Sequence, residues 1–561
     1  MADAPEALPR LRQLVLDLAV RGKLLPQQPG DHPQAKALAA ARSELSERAK
    51  ATGRLRFTPS APIAEAEIGD ELPTGWVAAR INDTGLYING LAFKPSDWKA
   101  SGLPIIRIQN LSDDSREFNY AQGEFADEVL VRTGDILVSW SATLDAYLWK
   151  RQTGVLNQHI FRVIQATGLT DSGYLLLLLK RAIRDLSESV HAHGLVMTHI
   201  NRGPFLHHVV WIPPLAEQHR IVAKVDELMA LCDRLEAARA ERETARDRLT
   251  AASLARLNTP DPETFADDAR FALDALPALT TRCDQITQMR QTILGLAVRG
   301  KLVGQDPRDE PASDLLTRVS REIDAYCKTH RLTRAVVEPI EKENEPYTLP
   351  LGWRWARLAE LHRVITDGDH QPPPRADEGI AFLTIGNVTT GKLNFADCRL
   401  VSKDYFQSLP TYRVPAHGDI LYTVVGATFG RPALVDTDRE FCVQRHIAIL
   451  KPASAMNLQY LVWMLSSPHV YDQAIRSTTG TAQPTIGLRP LRHFAVPVPP
   501  LVEQGRIVAK VAELMRGCDQ LEASLSACET HRARMLEVLL RRTLEPTDLE
   551  WSASAAEAQA S

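Results

Sequence analysis

Apolar residues recur at alternating steps of four and three along two long segments of the chain. The first, residues 215–259, lies between Pro214 and Pro260 and contains no proline or glycine. This spacing is a heptad seam and predicts a helix on the order of 65 Å long at about 1.5 Å per residue. The second segment follows Pro500. The seam residues are Ile221, Val225, Leu228, Cys232 and Leu235, then Ile507, Val511, Leu514, Cys518, Leu521, Leu525 and Cys528 and, after an interruption at Arg532, Met535 and Leu539.

Two seams of the same spacing leave two arrangements open. Each helix could pack alone on its own domain, as amphipathic helices do. Their near identity favours packing of the two seams on each other.

The stretches between these helices have a different pattern. Short runs rich in β-branched residues, bounded by turn residues, predict strands at 103–110, 135–139, 379–386 and 419–425. One closing helix is predicted in each stretch, over 174–190 and 459–475. The pattern indicates two mixed α/β domains.

The chain also contains an internal repeat of about half its length. Residues 213–237 and 499–523 are identical at 19 of 25 aligned positions. The motif LAVRGKL recurs at 18–24 and 296–302, and LPTGW at 72–76 returns as LPLGW at 349–353. The flanking helices match closely, whereas the stretches between them share only scattered residues. This contrast predicts one duplicated frame that presents two different domains.

These patterns divide the 561 residues into six segments. They are an N-terminal helical region (1–70), domain 1 (71–212), a central region with the first long helix (213–345), domain 2 (346–498), a C-terminal helix (499–545) and a tail (546–561). The small, polar composition of the tail predicts disorder.

Composition narrows the class of protein. The net charge of −4 argues against a protein that coats nucleic acid through bulk charge, so any DNA affinity needs local basic patches. No targeting segment or membrane span is evident, which predicts a cytoplasmic protein. The seven widely spaced cysteines contain no C-x-x-C pair, which argues against a disulfide framework or a zinc site.

Three near-matches to catalytic motifs are weak. Residues 295–302 nearly form a phosphate-binding loop but lack its hydroxyl residue, and they follow a helical pattern. Asp97-Trp98-Lys99 fits part of a nuclease motif without a paired acidic residue. His191 and His193 lie near His199, His207 and His208 without acidic or cysteine partners at metal-ligand spacing. The sequence therefore predicts a chain without catalytic or metal sites.

The repeated motifs resemble those of the specificity subunit of type I restriction-modification systems. The resemblance rests on P-P-L-x-E-Q-x-R-I-V, L-A-V-R-G-K-L and L-P-x-G-W, with looser matches at FKPSDW (93–98) and TDGDHQPP (366–373), and it extends from about residue 8 to about 544. It implies an α/β (mixed α+β) fold with an internal pseudo-two-fold repeat, in which two long antiparallel coiled-coil helices separate two target-recognition domains.

The resemblance also implies partners and a non-catalytic role. Each domain would read one half of a bipartite, asymmetric site in double-stranded DNA. Two methyltransferase subunits and restriction/translocase subunits would dock on the chain. This chain would bind no cofactor, and S-adenosylmethionine, ATP and Mg²⁺ would belong to the partners. The helix around 293–302 is predicted to face a partner.

Base readout requires Arg, Lys, Asn or Gln on presented loops, and phosphate contacts use isolated Lys and Arg. A solvated loop or turn is the alternative role for each such residue. Glycines in matching loops could allow close backbone approach or simply form turns. The DNA-binding candidates are Asn89, Lys94, Arg107, Gln109, Asn110, Lys150, Arg151, Gln158, His159, Gly194 and Thr198 in domain 1, and His370, Arg375, Asn387, Arg431, Gln444, Arg445, His446, Gly480 and Gln483 in domain 2.

Two other function classes remain open at this stage. The chain could be a single-chain nuclease or ATPase that uses the near-match motifs, in which case substitution of Lys301 or Asp97 would abolish turnover. It could instead be a coiled-coil adaptor whose domains bind protein or glycan. Failure of the assembled complex to enrich any DNA duplex would favour the adaptor.

Overall fold

The chain folds into two compact units, as seen in a computed structural model. The structure describes residues 6–52, 57–68, 71–191, 201–258, 264–369, 373–480 and 483–544. Unit 1 comprises residues 1–241 and 529–561, and unit 2 comprises residues 242–528. Unit 1 therefore contains domain 1, and unit 2 contains domain 2.

Unit 1 begins with helices, continues through domain 1 and leads into the first long helix. The helices are α1 (Ala7–Val20), α2 (Ala35–Thr52), α3 (Glu65–Ile68), α4 (Gln109–Ser112), α5 (Ser172–His191), α6 (Arg202–His207) and α7 (Leu215–Asn258), of which α7 ends in unit 2. The strands are β1 (Val77–Arg80), β2 (Gly85–Asn89), β3 (Leu103–Ile106), β4 (Asn119–Ala121), β5 (Leu130–Val131), β6 (Ile136–Ser139), β7 (Asp145–Leu148), β8 (Gly154–Leu156), β9 (Ile160–Gln165) and β10 (Val209–Ile212).

Unit 2 repeats the main elements in the same order, with an additional helix at its start, two closing helices in place of one, and an added hairpin of β19 and β20. Its helices are α8 (Phe265–Leu279), α9 (Cys283–Val298), α10 (Ala312–His330), α11 (Lys403–Ser408), α12 (Leu458–Leu465), α13 (Pro468–Arg476), α14 (Leu488–Arg492) and α15 (Leu501–Leu544), of which α15 ends in unit 1. Its strands are β11 (Arg354–Arg357), β12 (His362–Asp367), β13 (Ile380–Leu383), β14 (Arg399–Val401), β15 (Ile420–Thr423), β16 (Pro432–Leu434), β17 (Phe441–Val443), β18 (Ile447–Pro452), β19 (Thr478–Thr479), β20 (Thr485–Ile486) and β21 (Ala495–Val498).

The two domains share one sheet topology. An antiparallel four-stranded sheet has the order β2-β9-β6-β7 in domain 1 and β12-β18-β15-β16 in domain 2. A second, mixed sheet has the order β4-β3-β8-β5 in domain 1 and β14-β13-β17 in domain 2. Its parallel pairs are β3 with β8 and β13 with β17. The mixed α/β repeat predicted from the sequence is confirmed.

Each domain is entered and left through one antiparallel strand pair. In domain 1, β1 pairs with β10, so that Val77 lies opposite Ile212. In domain 2, β11 pairs with β21, so that Arg354 lies opposite Val498. The long helix begins three residues after each exit strand. The ends of each domain are therefore adjacent, next to the start of a long helix.

The two long helices have the predicted extent, with 44 residues each. The first part of each seam is buried within its own unit. Ile221 and Val225 belong to the same apolar core as Val15 and Ala19 of α1. In unit 2, Ile507, Val511 and Cys518 share a core with Ile286, Ile293 and Leu294 of α9.

The predicted seam is wrong beyond Leu525. Cys528 is exposed, and Met535 and Leu539 are 59% and 47% exposed. Leu536, which the heptad register omits, is buried against Ala7. The buried positions of α15 shift in register here because this end of the helix packs on the start of α1 within unit 1.

Three further local predictions need correction. The closing helix predicted over 459–475 is two helices, because the Ser467 hydroxyl accepts a bond from Val470 N and caps a new helix that starts at Pro468. The strand predicted over 103–110 ends at Ile106. The helix around 293–302 is not a partner-facing surface, because Ile293, Leu294 and Leu296 are buried.

The closing helix of domain 1 lies where it was predicted, as α5. All seven cysteines are free thiols, and four of them are buried. No helix among the described residues is long and apolar enough to cross a membrane.

Candidate nucleic-acid interface

Loops from both sheets meet at one end of each domain. In domain 1, β2 ends at Asn89 opposite Phe161, β6 ends at Ser139 opposite Ile160, and β9 begins there. Asn157 N donates to Ile106 O at 3.1 Å, which brings the end of β3 to the same place. We call this end, where β2, β3 and β6 finish and β9 starts, the loop edge of domain 1.

Domain 2 has an equivalent loop edge. There β12 ends at Asp367, β15 ends at Thr423 opposite Ile447, and β18 begins at Ile447. Gln444 N donates to Leu383 O at 3.1 Å and joins β13 to the same edge. The two domains therefore present matching sets of loops.

Five candidates of domain 1 occupy its loop edge with polar groups available. Asn89, Lys94 and Gln158 are exposed, and Arg107 and His159 are half-buried. Gln158 Nε2 lies 3.1 Å from His159 Nε2. Gln109, which is exposed at the start of α4, follows β3 on the same side.

Asn110 lies at this edge but uses its polar atoms to shape the loop. It is 1% exposed. Its Oδ1 accepts from Arg107 N at 3.1 Å, and its Nδ2 donates to the carbonyls of Arg116 and Glu117 at 3.2 Å each. Asn387 makes the equivalent bonds, to Thr384 N and Asn394 O. These bonds give both asparagines a structural role in their turns.

The candidates of domain 2 also gather at its loop edge. Arg375, Arg431 and Arg445 are exposed, and Gln444 is half-buried. Arg445 Nε donates to His446 Nε2 at 3.3 Å. Burial and the neighbouring guanidinium of Arg445 lower the pKa of His446, so the imidazole is neutral at neutral pH and can accept this bond.

Gly480 and Gln483 lie on the β19-β20 hairpin beside this edge. The hairpin is joined to the loop after β15, because Gly426 N donates to Pro484 O at 2.9 Å. Gly480 has a φ of +88°, a conformation that glycine adopts without strain. Both residues are exposed.

Lys150 and Arg151 are not at the loop edge. They follow the end of β7, where Leu148 pairs with Ile136 at the start of β6, and so lie toward the opposite end of that sheet. Arg151 stacks 4.1 Å from the Phe118 ring centroid and lies 3.8 Å from the Asp114 carboxylate. Gly194, Thr198 and His370 lie outside the described residues.

Cations at the loop edges are available for an anionic ligand. Among the described residues, no carboxylate forms an ion pair with Lys94, Arg107, Arg375 or Arg445, whereas Arg151 approaches Asp114 and Arg413 approaches Asp367. Most arginines of the unit frames, in contrast, are paired, such as Arg12 with Asp233 and Arg290 with Asp519. The negative net charge thus coexists with local unpaired positive charge, which phosphate contacts require.

The sequence reasoning missed the aromatic side chains of these edges. Trp98 is 37% exposed, with the Arg107 guanidinium 5.4 Å from its ring centroid. Trp140 lies edge-on to His159, with ring centroids 5.1 Å apart. In domain 2, Phe429 stacks on Tyr471 at 5.7 Å. An aromatic directly after a buried strand, as in Val138-Ser139-Trp140, was the available signal.

The near-match motifs have structural explanations. Asp97 Oδ2 accepts from Lys94 N at 2.7 Å and closes a short turn. Gly295 lies buried inside α9, and Gly300, with a φ of +67°, follows the helix end. Within the described part of the chain, no group of three His, Cys, Asp or Glu side chains could hold a metal ion.

Comparison with known proteins agrees with this arrangement. The family model "Type I restriction modification DNA specificity domain" matches residues 73–242 and 364–527. The chain is 26% identical to the type I restriction enzyme EcoAI specificity subunit of Escherichia coli over 94% of this chain and 92% of that protein. It is 27% identical to the EcoEI specificity subunit of Escherichia coli, covering 94% and 93%.

A solved structure gives a more distant match. The HsdS subunit from Thermoanaerobacter tengcongensis superposes with a TM-score of 0.43 at 18% identity, over 85% of this chain and 98% of that chain.

Proposed function

Because the chain belongs to the family of type I restriction-modification DNA specificity subunits, we propose that it reads a bipartite, asymmetric DNA site. In this proposal each domain reads one half-site through its loop edge, and the unread spacer lies between the halves. Methyltransferase and restriction/translocase subunits dock on the chain and perform the chemistry.

The observation that carries the proposal is that the two domains share one arrangement of strands and helices but present different side chains at their loop edges. The strands, the entrance and exit pairs and the long helices repeat. The edge of domain 1 presents Trp98, Arg107 and Gln158, whereas that of domain 2 presents Arg431 and Arg445. Arginine, glutamine and asparagine discriminate base edges by paired hydrogen bonds, so different sets read different sequences. Two different readers imply an asymmetric target.

An exposed apolar stripe supports docking of a methyltransferase subunit. Met535, Val538 and Leu539 on α15 are 59%, 52% and 47% exposed, at the spacing of one helix face. On α7, Leu231 and Leu235 are 43% and 40% exposed, one turn apart. Contiguous exposed apolar residues mark interaction surfaces. We assign the stripe on α15 to a methyltransferase subunit, and Leu231 and Leu235 form a second exposed apolar pair in the same unit.

In this proposal, S-adenosylmethionine, ATP and Mg²⁺ bind to the partner subunits and not to this chain. What supports it is that the phosphate-loop-like segment 295–302 starts inside α9, where residues 295–298 are buried, and continues into the turn after that helix, where Lys301 N donates to Leu296 O at 3.0 Å. Equilibrium dialysis of the purified chain with each ligand tests this assignment. Retention of any of them at micromolar concentration would contradict it.

The two-reader proposal is tested by methylome sequencing of cells that co-express the chain with the methyltransferase of its operon. We expect one split, asymmetric motif. The double variant R107A/Q158A should relax the readout of one half only, and R445A that of the other half only, by about 10-fold or more per lost bidentate contact. Loss of readout in both halves from either variant would contradict one half-site per domain.

Docking is tested separately by co-purification. M535D/L539D places two charges on the apolar stripe and should reduce recovery of the methyltransferase by at least about 10-fold. R534E, at an exposed polar position on the same helix, is the matched control. Enrichment of no DNA duplex by an intact assembled complex would instead favour the adaptor function.

A further inference from the structure

One buried contact occurs twice in the molecule with the same geometry. Trp76, at the entrance of domain 1, donates from Nε1 to Glu217 Oε2 in the first turn of α7, at 3.0 Å. Trp353, at the entrance of domain 2, donates to Glu503 Oε2 in the first turn of α15, also at 3.0 Å. Gln27 and Gln305 donate to the other carboxylate oxygen, at 3.4 and 3.0 Å.

The next residue of each long helix holds the start of the domain's closing helix. Gln218 Oε1 accepts from Asp171 N at 2.7 Å, directly before α5, and Gln218 Nε2 donates to Leu169 O at 2.9 Å. Gln504 Oε1 accepts from Asn457 N at 3.1 Å, directly before α12. Both glutamines also bond the first proline carbonyl of the Pro-Pro pair before the helix, at 2.9 and 3.0 Å.

We call these two sets, Trp76–Glu217–Gln218 and Trp353–Glu503–Gln504, the junction clamps. Each clamp uses consecutive helix residues to hold the domain's entrance with one side chain and its closing helix with the other. Two points of attachment, one to the entrance and one to the closing helix, restrict pivoting of the domain more than a single point would.

The surroundings of the clamps are also duplicated and tightly packed. A Cβ atom at Gly22 would lie 2.6 Å from Pro73 Cγ, and one at Gly300 would lie 2.5 Å from Pro350 Cγ. One helical turn beyond the glutamate, Arg220 pairs with Asp31, and Arg506 pairs with Asp309. The four central side chains, Glu217, Gln218, Glu503 and Gln504, are at most 1% exposed.

Burying a carboxylate costs desolvation free energy, which offsets the stability gained from its hydrogen bonds. Burial raises the pKa of both Glu217 and Glu503, which shows that their charged forms are held in an unfavourable environment. Replacing a buried ionic group by an apolar one is often neutral or stabilising, so net stability alone does not account for two buried carboxylates at equivalent places. Both clamps nevertheless keep the same tryptophan–glutamate bond, at 3.0 Å in each unit.

We propose that the junction clamps are positioning residues that fix each domain on its long helix and thereby fix the spacer length of the DNA site. The inference rests on the proposed two-reader function. Adding one base pair to the spacer moves the half-sites about 3.4 Å further apart and rotates them. A rigid junction rejects that change, and a loosened junction accommodates it.

The test uses the chain co-expressed with its methyltransferase and a plasmid library in which the spacer is shortened or lengthened by one base pair. W76F removes the indole donor but keeps an aromatic ring in the core. W353F is the equivalent variant in unit 2. Each should raise methylation of the altered spacers, relative to the natural spacer, by about 10-fold, while both half-site sequences stay unchanged.

Matched controls remove a buried hydrogen bond that does not reach the long helix. Tyr174 OH donates to Trp211 O, and Tyr460 OH donates to Pro497 O, each at 2.9 Å within one domain. Y174F and Y460F should leave the preference for spacer length unchanged at a similar loss of thermal stability. If W76F does not accumulate, E217Q takes its place.

The outcomes separate this inference from the function on which it rests. An unchanged preference for spacer length in folded W76F and W353F overturns the role of the clamps and leaves the two-reader function intact. Relaxation of spacer length in Y174F to the same degree also overturns it. If the unaltered chain directs methylation to no split site, the proposed function itself fails.

Discussion

The buried ion pair of domain 2 offers a sharp test of what stabilises that domain. Lys451 on β18 and Asp419 before β15 are 5% and 2% exposed and in direct contact. Lys451 also donates to Val414 O at 2.9 Å, and Asp419 Oδ2 accepts from Ala416 N at 2.8 Å. K451M removes the cation and leaves the carboxylate buried with a single backbone donor.

Removing one partner of a buried pair costs about 3–5 kcal/mol, because the remaining charge is uncompensated. For a unit of this size, with about 2–4 °C per kcal/mol, the melting temperature of unit 2 should fall by about 6–20 °C. The double variant D419N/K451M leaves no charge in this place, and we expect it to recover to within about 1 kcal/mol of the starting stability.

The loss should depend on pH with a definite sign. Burial holds the pKa of Asp419 above its usual range even beside Lys451, and removal of Lys451 should raise that pKa further. A carboxyl with a raised pKa in the folded state binds a proton on folding, so stability falls as pH rises through that pKa. The K451M deficit should therefore be larger at about pH 8 than at about pH 5.

The assay is hydrogen exchange of the β15 and β18 amides in the full chain, with thermal melting alongside. R162M is the matched control in the other unit, because Arg162 on β9 pairs at 2.8 Å with Asp135, the residue directly before β6. It should weaken domain 1 and spare domain 2. A K451M deficit below about 1 kcal/mol, or one that shrinks as pH rises, would refute the reasoning.

Three further predictions follow from single contacts. E217Q/E503Q should reduce, relative to the unaltered chain, the fall in unfolding free energy as pH rises from the usual glutamate range through the raised pKa of these carboxyls, measured by urea unfolding across pH; the contribution of Asp419 should remain, and an undiminished fall would contradict the prediction. G368A should lower the free energy of unfolding by about 1–3 kcal/mol and weaken half-site binding by domain 2, because the new Cβ would overlap the Val443 carbonyl. The control is G30A, whose new Cβ would meet no atom within 4 Å and should leave stability and binding unchanged. L536A should lower the free energy of unfolding by about 2 kcal/mol and expose α1 to proteolysis, because Leu536 is buried against Ala7. L539A should do neither, because the Leu539 side chain is already 47% exposed. Equal effects of the two variants would contradict the packing of α15 on α1 through Leu536.

Periodicity predicted those parts of the fold that depend on local sequence. The long helices, the repeat and α5 follow from spacing alone, because one amphipathic pattern continues without a breaker. The break at Ser467–Pro468 was missed because the apolar pattern continues across it, although Pro468 itself signals that one helix ends and another starts there. The seam beyond Leu525 failed because its register is set by α1, far away in sequence.

The loop edges were predictable as regions but less so as residues. Strand ends rich in Asn, Gln and Arg indicated the right loops. Whether a given amide faces a ligand or closes its own turn depends on bonds between loops, as at Asn110 and Asn387. The direct role of each remaining candidate in DNA contact stays a prediction. The junction clamps escaped notice because Glu217 and Gln218 read as an ordinary first helical turn.

The adjacency of entrance and exit strands has an evolutionary consequence. Since β1 lies beside β10 and β11 beside β21, each domain is an insertion whose two ends occupy neighbouring positions. Domains inserted in this way can be exchanged without rebuilding the host fold. Genetic recombination within the sequences coding for the duplicated segments would transfer a whole domain with its junction intact. A lineage could thus acquire a new DNA preference in one event, and the same crossover points are suited to the engineering of chimaeras.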